Sequence, residues 1–451
     1  MKELWKNIQP HVRPTLKLAY PVSLSQLGHV LLTVTDNVMV GHLGAAHLAA
    51  ASLVMHIFFL SIVIAAGLTL AIIPLVAQAD GEDNPERCSQ ILNHGLMLNC
   101  IMGVILVVAQ YFMADYVYIL GQPADVEFYA QSYLRILGFS FIPFMIALTY
   151  RNFIEGLSFT KPAMYIVFGA NILNVFGNWV FIYGNLGSPA FGLDGAGYST
   201  LLNEVFIAVA MVLYTVRSGH FAKYRPLFRI GNYDRTLIKR ILKIGLPTSI
   251  HYLFEAGSIS VYAIMIGWLG AEALAAHQVA ISLASISFML AFGLAAAVTI
   301  RIGNAIGRSE PHQAKYAGYT GMFFSMVMMA VFGAVFIIFR NVLPTLYIAN
   351  VEVVSLAADL LVVAALFQVF DGLQSVGIGA LRGLEDTRVP MFVAIFAYWI
   401  IGIPVAYMLN NYLDMGVIGI WTGLLLGLGI AATLFTLRFR KLIHVRITAH
   451  G

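Results

Sequence analysis

The stretch GHLGAAHLAA, residues 41–50, recurs 226 positions later as GWLGAEALAA, residues 267–276. The same shift aligns further residues of the two parts: Lys17 with Lys243, Pro21 with Pro247, Ser23 with Ser249, Gly67-Leu68 with Gly293-Leu294, Gly81 with Gly307 and, at a shift of 227, residues 156–161 with 383–388. One nearly constant offset is difficult to obtain by chance. The chain therefore contains two copies of one structural unit.

The chain is too apolar for a soluble protein. Its 451 residues are 60% hydrophobic and 11% charged, whereas soluble proteins carry about 25% charged residues. A membrane-spanning helix needs about 20 apolar residues. Twelve segments qualify: 15–40, 47–79, 91–114, 127–154, 162–184, 195–216, 239–268, 274–306, 316–343, 353–381, 390–411 and 416–437. The sequence therefore predicts an all-α polytopic membrane protein with twelve transmembrane helices.

The basic residues are distributed unevenly between alternate loops. Of the 26 Lys and Arg residues, we assign all but Arg135 and Arg340 to one side of the membrane. Because basic residues collect on the cytoplasmic side, we predict cytoplasmic termini, a cytoplasmic central linker and an even number of helices. The net charge of +4 is thus a signal of topology. We predict a multi-pass protein of the cell inner membrane that binds no nucleic acid.

A polar, basic stretch divides the chain nearly in half. We predict an N-terminal six-helix lobe at 1–216, a cytoplasmic linker at 217–238 and a C-terminal six-helix lobe at 239–451. Since six is an even number, the two halves share one orientation and are related by an axis along the membrane normal. Two pseudo-symmetric bundles around a central cavity are typical of transporters that alternate access between the two sides.

We single out four acidic residues within predicted membrane helices: Asp36 in the first, Glu204 in the sixth, Glu255 in the seventh and Asp371 in the tenth. A carboxylate at a helix centre costs about 3 kcal/mol on insertion scales. Such residues face an interior cavity and are ion or substrate sites by default. They bind a proton, a sodium ion or an organic cation. Competition between two of these ligands is the minimal chemistry of an antiporter.

The alternative to a binding site is a buried carboxylate that neighbouring polar groups hold for helix packing. Glu255 and Asp371 have no Arg or Lys at membrane depth in their own helices, which disfavours a plain salt bridge. Asp36, in contrast, lies between Thr35 and Asn37, whose side chains are local hydrogen-bonding groups. For Glu204 both interpretations stay open.

Three asparagines step along the fifth predicted helix at spacings of three and four: Asn171, Asn174 and Asn178. These spacings place the three side chains on one helix face. A stripe of amides in a membrane helix either bonds helices together or lines a polar cavity. The cavity is favoured because Asp36 lies in the same half of the chain, and Asn174 is the preferred partner of that aspartate.

The sequence contains no motif of a soluble enzyme. It has neither a phosphate-binding Gly-x-x-x-x-Gly-Lys-Ser/Thr loop nor a His-Glu-x-x-His pair. The two cysteines, Cys88 and Cys100, do not suggest a disulfide framework. We therefore predict a protein that is not an enzyme, uses no cofactor and is not driven by ATP.

Taken together, these residues resemble the multidrug and toxic compound extrusion (MATE) family, and most closely its bacterial NorM-type branch. The motifs that carry the resemblance are Pro21 with Thr35-Asp36, Phe254-Glu255, Ala275-Ala276-His277-Gln278, Asp371-Gly372-Leu373-Gln374 and Leu381-Arg382-Gly383. The resemblance covers nearly the whole chain. It implies an antiporter that works in the lipid bilayer and exports small hydrophobic, cationic or amphipathic drugs in exchange for a monovalent cation, Na⁺ or H⁺.

Carried over residue by residue, the resemblance makes Glu255 and Asp371 the cation-binding carboxylates, and the metal ligands if the ion is Na⁺. It matches three residues to the polar cluster of the N-terminal lobe: Asp36, Asn174 and Asn178. Phe367 stands one turn before Asp371, where some NorM-type relatives have a tyrosine, and we assign it to the substrate or polar cavity. A cation ligand or hydrogen-bond donor is therefore missing, and the coupling ion stays open. We expect a monomer.

Three alternative functions remain. A lipid-linked oligosaccharide flippase shares the architecture, but it needs a basic central cavity for pyrophosphate, and Arg135 is the one candidate for such a group inside a helix. A dedicated exporter of one metabolite is not distinguishable by sequence. A channel or a membrane enzyme is disfavoured by the twofold repeat and by the lack of a catalytic cluster.

Overall fold

The computed structural model describes residues 2–224 and 233–449, the side chains of residues 2–7 excepted. In this part of the chain no strand occurs, and twelve long helices follow one another: α1 Lys2–Gly41, α2 Ala45–Gly81, α3 Pro85–Ala114, α4 Ala124–Gly156, α5 Lys161–Phe181, α6 Leu193–Arg217, α7 Arg235–Gly267, α8 Ala271–Gly307, α9 Pro311–Ile338, α10 Val351–Gly383, α11 Arg388–Asn411 and α12 Gly416–Ala449. Short 3₁₀ turns lie at Val117–Leu120, Asn185–Gly187, Gly219–Tyr224 and Leu343–Leu346. The predicted all-helical architecture is confirmed.

The surface of these helices suits a lipid environment. Helices α2 to α12 are each long and apolar enough to cross a membrane, and α1 is the twelfth and least apolar. Large apolar side chains such as Ile172, Leu366 and Phe392 are more than half exposed. Water would oppose so much exposed apolar area. The predicted twelve-helix membrane protein is therefore confirmed.

The largest differences between the predicted and observed helix ends are at α1, which begins at Lys2 and not at 15, and at α12, which extends to Ala449 and not to 437. At α9 the whole helix is displaced. The predicted span 316–343 lies five residues too far along the chain, because α9 runs from Pro311 to Ile338. A proline at the first position of a helix loses no hydrogen bond that the helix would otherwise make. Hydrophobicity continues beyond Ile338, but the backbone there leaves the α-helix and turns at Leu343–Leu346.

Contacts among the described residues divide the chain into two compact units. Unit N comprises residues 24–249, and unit C comprises residues 1–23 together with 250–451. These units differ from the predicted lobes at residues 1–23 and 239–249, because α1 and α7 each belong partly to one unit and partly to the other. The boundaries of the two lobes after residue 216 and before residue 239 stay a prediction from the sequence.

Each unit has its own apolar core. In unit N, one buried cluster surrounds Phe58 and Phe141, and a second surrounds Ile72 and Phe153. In unit C, the core surrounds Tyr262, Trp421, Phe435 and Phe439, all of which are fully buried.

In unit N, the first part of α7 packs directly against the backbone of α2. The Ser249 hydroxyl donates a hydrogen bond to the Ile64 carbonyl at 2.8 Å. A methyl group on Gly67 would lie 2.5 Å from Ser249 Oγ and still closer to its backbone. Only glycine at position 67 therefore permits this approach. We call Ile64, Gly67 and Ser249 the Ser249 contact.

Unit C contains the same arrangement 226 residues away. The Ser23 hydroxyl on α1 donates to the Leu290 carbonyl of α8 at 3.2 Å. A methyl group on Gly293 would lie 2.6 Å from the Ser23 backbone nitrogen and 2.8 Å from its Cα. We call Ser23, Leu290 and Gly293 the Ser23 contact. The residues of the two contacts correspond one to one at the shift found in the sequence.

The repeat extends to the backbone dihedral angles. Gly44 has φ 122° and ψ 170° before α2, and Gly270 has φ 118° and ψ 172° before α8. Left-handed residues also correspond, since Asp83 and Ser309 have φ 50° and 59°. These turns require conformations that L-residues rarely adopt. The duplicated sequence therefore encodes duplicated turns.

The end of the predicted linker is attached to α3 within unit N. Arg87 Nη1 lies 3.2 Å from Asp234 Oδ2, and the Asp234 backbone N–H donates to His94 Nε2 at 2.9 Å. The backbone N–H of Thr236, and then Arg87, hold the pKa of Asp234 below its ordinary value, against the opposing effect of desolvation. These contacts fix the start of α7. Two basic residues that the sequence assigned to the linker, Arg225 and Arg229, lie outside the described residues.

Candidate functional site

The carboxylate of unit N is bonded to an asparagine on another helix. Asn178 Nδ2 on α5 donates to Asp36 Oδ1 on α1 at 2.6 Å. The same nitrogen donates to Asn174 Oδ1 at 3.2 Å. Asn174 and Asn178 are fully buried, whereas Asp36 is half-buried. Asp36, Asn174 and Asn178 thus form one polar cluster, as the sequence predicts.

Two asparagines of α5 act on Asp36. Asn178, one turn beyond the favoured Asn174, donates to the carboxylate at 2.6 Å, and Asn174 acts on Asp36 beside it. The Thr35 hydroxyl donates instead to the Leu31 carbonyl of its own helix at 2.9 Å. Such a bond back to the preceding turn is common for threonine inside helices.

Asn171 bonds to the backbone of α1. Its Nδ2 donates to the Gly28 carbonyl at 2.9 Å. Asn171 and Asn178 therefore both face α1, two turns apart, which agrees with the predicted polar stripe. At Asn171 the structure shows an interhelical hydrogen bond of the kind that holds membrane helices together.

Glu204 on α6 is half-buried, and no described side chain lies within hydrogen-bonding distance of its carboxylate. Its neighbour Asn203 is fully buried and likewise has no partner in the described part of the chain. The structure therefore brings Glu204 into none of the polar clusters described here.

Glu255 in unit C lies between two polar side chains. Its Oε1 accepts a hydrogen bond from Gln374 Nε2 on α10 at 3.0 Å. Its Oε2 lies 3.4 Å from Nε2 of His251, which precedes it by one turn on α7. The side chain of Glu255 is 15% exposed and that of His251 is fully buried. Glu255 is therefore held by both helices while it keeps some access.

Asp371 is buried one turn before Gln374 on α10. Residues three apart are neighbours on one helix face, so Asp371 lies beside the glutamine that binds Glu255. The charge of Glu255 acts on Asp371. Like charges that act on each other in a buried site repel, and a cation bound beside them relieves the repulsion. The pair is thus chemically suited to take up one positive charge.

The donor atoms around this pair fit a small hard cation. Carboxylate and amide oxygens are the ligands that such cations prefer, and Gln374 Oε1 has no hydrogen-bond partner among the described residues. No group of three or more His, Cys, Asp or Glu residues that is able to hold a metal ion occurs within the described ranges. Oxygen donors of this kind suit a hard cation better than a soft metal that prefers sulfur or imidazole ligands.

Phe367 belongs to the apolar core of unit C. It is 5% exposed, and its ring meets Trp421 edge-on with the centroids 5.9 Å apart. No polar contact of Phe367 is present, as expected of its side chain. The predicted role of Phe367 at a substrate or polar cavity stays untested.

The sequence did not single out Gln374 or His251 as site residues. Both were detectable in principle, since Gln374 follows Asp371 by three residues and His251 precedes Glu255 by four.

We expect Asn178→Ala to destabilise unit N, because the substitution leaves Asp36 without its partner. A buried polar group that loses its partner costs about 1–3 kcal/mol. Thermal unfolding of the purified protein measures the change. Asn185→Ala, which alters an exposed amide bonded to the Trp179 carbonyl, is the control. Additive effects of Asn178→Ala and Asp36→Ala in the double variant would contradict a direct coupling of the two side chains.

Twelve helices of membrane length, built as a duplicated unit with carboxylates buried along α1, α7 and α10, define a membrane transporter. The MatE family model matches residues 21–180 and again residues 247–408. The two matches begin 226 residues apart, which is the repeat of the sequence. The chain belongs to the MATE family of transporters.

The relatives agree over nearly the full chain. It is 35% identical over 447 residues to "Probable multidrug resistance protein NorM" of Mesorhizobium japonicum, covering 98% of this chain and 95% of the relative. It is 33% identical over 436 residues to "Multidrug resistance protein NorM" of Aliivibrio fischeri, covering 95% and 94%. The NorM-type resemblance is therefore confirmed, and with it the prediction that the chain is a transporter and not an enzyme.

Solved structures show the same fold. "Crystal structure of MATE in the bent conformation" superposes with a TM-score of 0.90 at 22% identity and covers 99% of both chains. "Crystal structure of eukaryotic MATE transporter AtDTX14" superposes with a TM-score of 0.87 at 21% identity, covering 99% of this chain and 100% of that chain. At these identities the likeness establishes the fold alone.

Proposed function

We propose that this chain is a secondary antiporter that exports hydrophobic, often cationic drugs in exchange for Na⁺ or H⁺. The observation that carries the proposal is the pairing of Glu255 and Asp371, with Gln374 between them, inside helices of membrane length. Carboxylates are expensive in such helices and mark ion or substrate pathways by default. The name that the relatives share, multidrug resistance protein, supports the class of substrate.

Competition for one pair of carboxylates provides the coupling. A cation that enters from outside compensates one negative charge of the Glu255–Asp371 pair and displaces a positively charged drug that uses the same groups. The lower net charge of the occupied pair reduces the cost of repacking the helices around the site. The protein then returns to the inward-facing state of an alternating-access cycle, in which the cation leaves and the next drug binds.

The membrane potential is large enough for this exchange. A potential of 100 mV supplies about 2.3 kcal/mol for each charge that crosses. Because each factor of ten in concentration corresponds to about 1.4 kcal/mol, one uncompensated cation sustains a drug gradient of roughly 40-fold. No ATP-dependent step is needed.

The side chains fit either coupling ion. Glu255, Asp371 and the free Gln374 Oε1 would hold Na⁺ through hard oxygen atoms. A proton needs a single carboxylate, and Asp36 in unit N offers one in addition to the pair in unit C. Asn178 is the hydrogen-bond donor that steadies the ionised form of Asp36.

Efflux of ethidium from proteoliposomes tests the proposal and identifies the ion. The purified protein is reconstituted, and either an inward Na⁺ gradient at constant pH or an inward proton gradient without Na⁺ is imposed. We expect one of the two gradients to accelerate efflux at least tenfold over liposomes without a gradient. If neither gradient has an effect, antiport is rejected.

We further propose that the protein is a monomer of the cell inner membrane with both termini in the cytoplasm. The distribution of basic residues supports this topology, and reporter fusions at the two termini test it. The flippase alternative is disfavoured, because Arg135, the candidate for binding pyrophosphate, forms an ion pair with Asp115. A dedicated metabolite exporter would fail to transport structurally unrelated dyes in the same liposomes.

A further inference from the structure

The π-helical turn Ile395–Gly402 is fixed against α7 at the level of Glu255. Trp399 Nε1 donates a hydrogen bond to the carbonyl of Phe254, the residue before Glu255, at 2.9 Å. The rings of Trp399 and Phe254 meet edge-on with their centroids 5.7 Å apart. A methyl group on Gly257 would lie 3.2 Å from the Trp399 ring. The turn that carries Tyr398 is therefore fixed along α7 next to Glu255.

The same turn contacts α7 again further along. A methyl group on Gly402 would overlap the hydroxyl of Tyr262, which follows Glu255 by two turns. Residue 399 thus contacts α7 at residue 254, and residue 402 contacts it further along, at residue 262. These two contacts fix the position of the π-helical turn along α7. A π-helical turn of this kind re-aims side chains and is frequent at functional sites.

The hydroxyl of Tyr398 is buried without a partner. The side chain is 1% exposed, and its Oη makes no hydrogen bond to any described residue. A buried phenol normally bonds to something, and leaving it unbonded carries the cost of its desolvation. Tyr398 lies within electrostatic range of Glu255 and Asp371. A partner for the Tyr398 hydroxyl is therefore expected beside Glu255 and Asp371.

We propose that the Tyr398 hydroxyl is a third oxygen ligand of the cation that Glu255 and Asp371 bind. This inference rests on the proposed function, and it adds a residue that neither the sequence motifs nor the relatives' names assign. It also explains how the cation site can have a phenol ligand although position 367 is phenylalanine. The hydroxyl comes instead from α11, while Phe367 is free to pack against Trp421.

The test measures cation binding independently of transport. Thermal unfolding of the purified protein is followed over a series of Na⁺ concentrations at constant ionic strength. A ligand that binds the native state alone stabilises it by RT ln(1 + [Na⁺]/Kd), so the concentration at which the midpoint begins to rise reports the affinity. We expect Tyr398→Phe to weaken the apparent Na⁺ affinity about tenfold or more. Tyr262→Phe removes the same atom from another buried, unpartnered tyrosine and is expected to leave the affinity unchanged.

A second variant separates a ligand from a packing residue. Phe367→Tyr in the Tyr398→Phe background returns a hydroxyl one turn from Asp371, and we expect it to restore at least part of the Na⁺ affinity. A role in packing alone predicts instead a lower midpoint at every Na⁺ concentration, with no change in affinity. That result would overturn the assignment.

The remaining outcomes are equally decisive. If Glu255→Gln abolishes the Na⁺ effect and Tyr398→Phe does not, the inference is wrong and the proposed cation site stands. If Na⁺ stabilises the wild type but Glu255→Gln and Asp371→Asn have no influence on that effect, the proposed cation site fails and the inference fails with it. If Na⁺ has no effect on the wild type, Tyr398 is not a Na⁺ ligand, and the proton gradient of the efflux assay decides the proposed function.

Discussion

Replacing Glu255 by glutamine, or Asp371 by asparagine, is expected to reduce cation-driven ethidium efflux at least a hundredfold. Both substitutions keep the shape of the side chain and remove its negative charge. Without that charge the pair no longer gains from binding a cation, so the ion gradient and the drug become uncoupled. The loss of one charged partner within a buried pair of this kind is worth roughly 3 kcal/mol, which corresponds to about a hundredfold.

The measurement is dye efflux at equal amounts of reconstituted protein. Glu255→Gln also tests the local geometry, because Gln374 Nε2 still finds an amide oxygen to bond, so folding is expected to persist. Asp359→Asn, on the exposed side of the same α10, and Glu272→Gln, exposed in the first turn of α8, are matched controls. Efflux at the normal rate in both site variants would refute the assignment of Glu255 and Asp371.

The acidic residues were predictable because a carboxylate within an apolar stretch can be recognised from the sequence alone. The residues that they bond to could not be predicted in this way. Asp36 accepts a hydrogen bond from Asn178, one turn beyond the expected Asn174, and the turn that donates depends on how α1 and α5 are placed along one another. The spacing of the asparagines fixes the face that they share, but not the height at which that face meets α1.

The limits of sequence reasoning are clearest at α11. A strict α-helical spacing has no way to anticipate the π-helical turn Ile395–Gly402, and Tyr398 is buried only because of that turn and the contacts of Trp399. Likewise, hydrophobicity locates α1 and α7 as helices, but it does not reveal that each contributes residues to both compact units. The repeat did carry this information in part, since Ser23 and Ser249 already align.

Gly67→Ala and Gly293→Ala are each expected to destabilise the protein by about 1–3 kcal/mol, the usual cost of overpacking a well-packed contact. Alanine is otherwise favoured over glycine inside a helix by about 0.5–1 kcal/mol. At these two positions that gain is outweighed, because the added methyl group meets the backbone of Ser249 or of Ser23 and not a flexible side chain. Relief would require the whole helix to move.

Gly169→Ala is the matched control, because a methyl group on this glycine of α5 meets no atom within 4 Å. It is expected to raise the unfolding midpoint slightly, so the sign of the effect separates steric conflict from helix propensity. The midpoints are compared at one scan rate, since unfolding of membrane proteins is often irreversible. Equal or higher stability of Gly67→Ala or Gly293→Ala would show that the helices are not in backbone contact there.

The two glycine variants are also expected to slow transport more than their stability loss explains. Each serine contact lies two residues after a proline inside its helix, Pro21 in α1 and Pro247 in α7, and a proline removes one backbone hydrogen bond of the helix. The compact units are also divided after Ser23 and after Ser249. We expect α1 and α7 to bend near these prolines, while the serine two residues later stays in contact with the neighbouring helix. A methyl group on Gly67 or Gly293 displaces that serine. It should therefore lower the efflux rate at saturating ethidium, whereas Gly169→Ala should leave the rate unchanged.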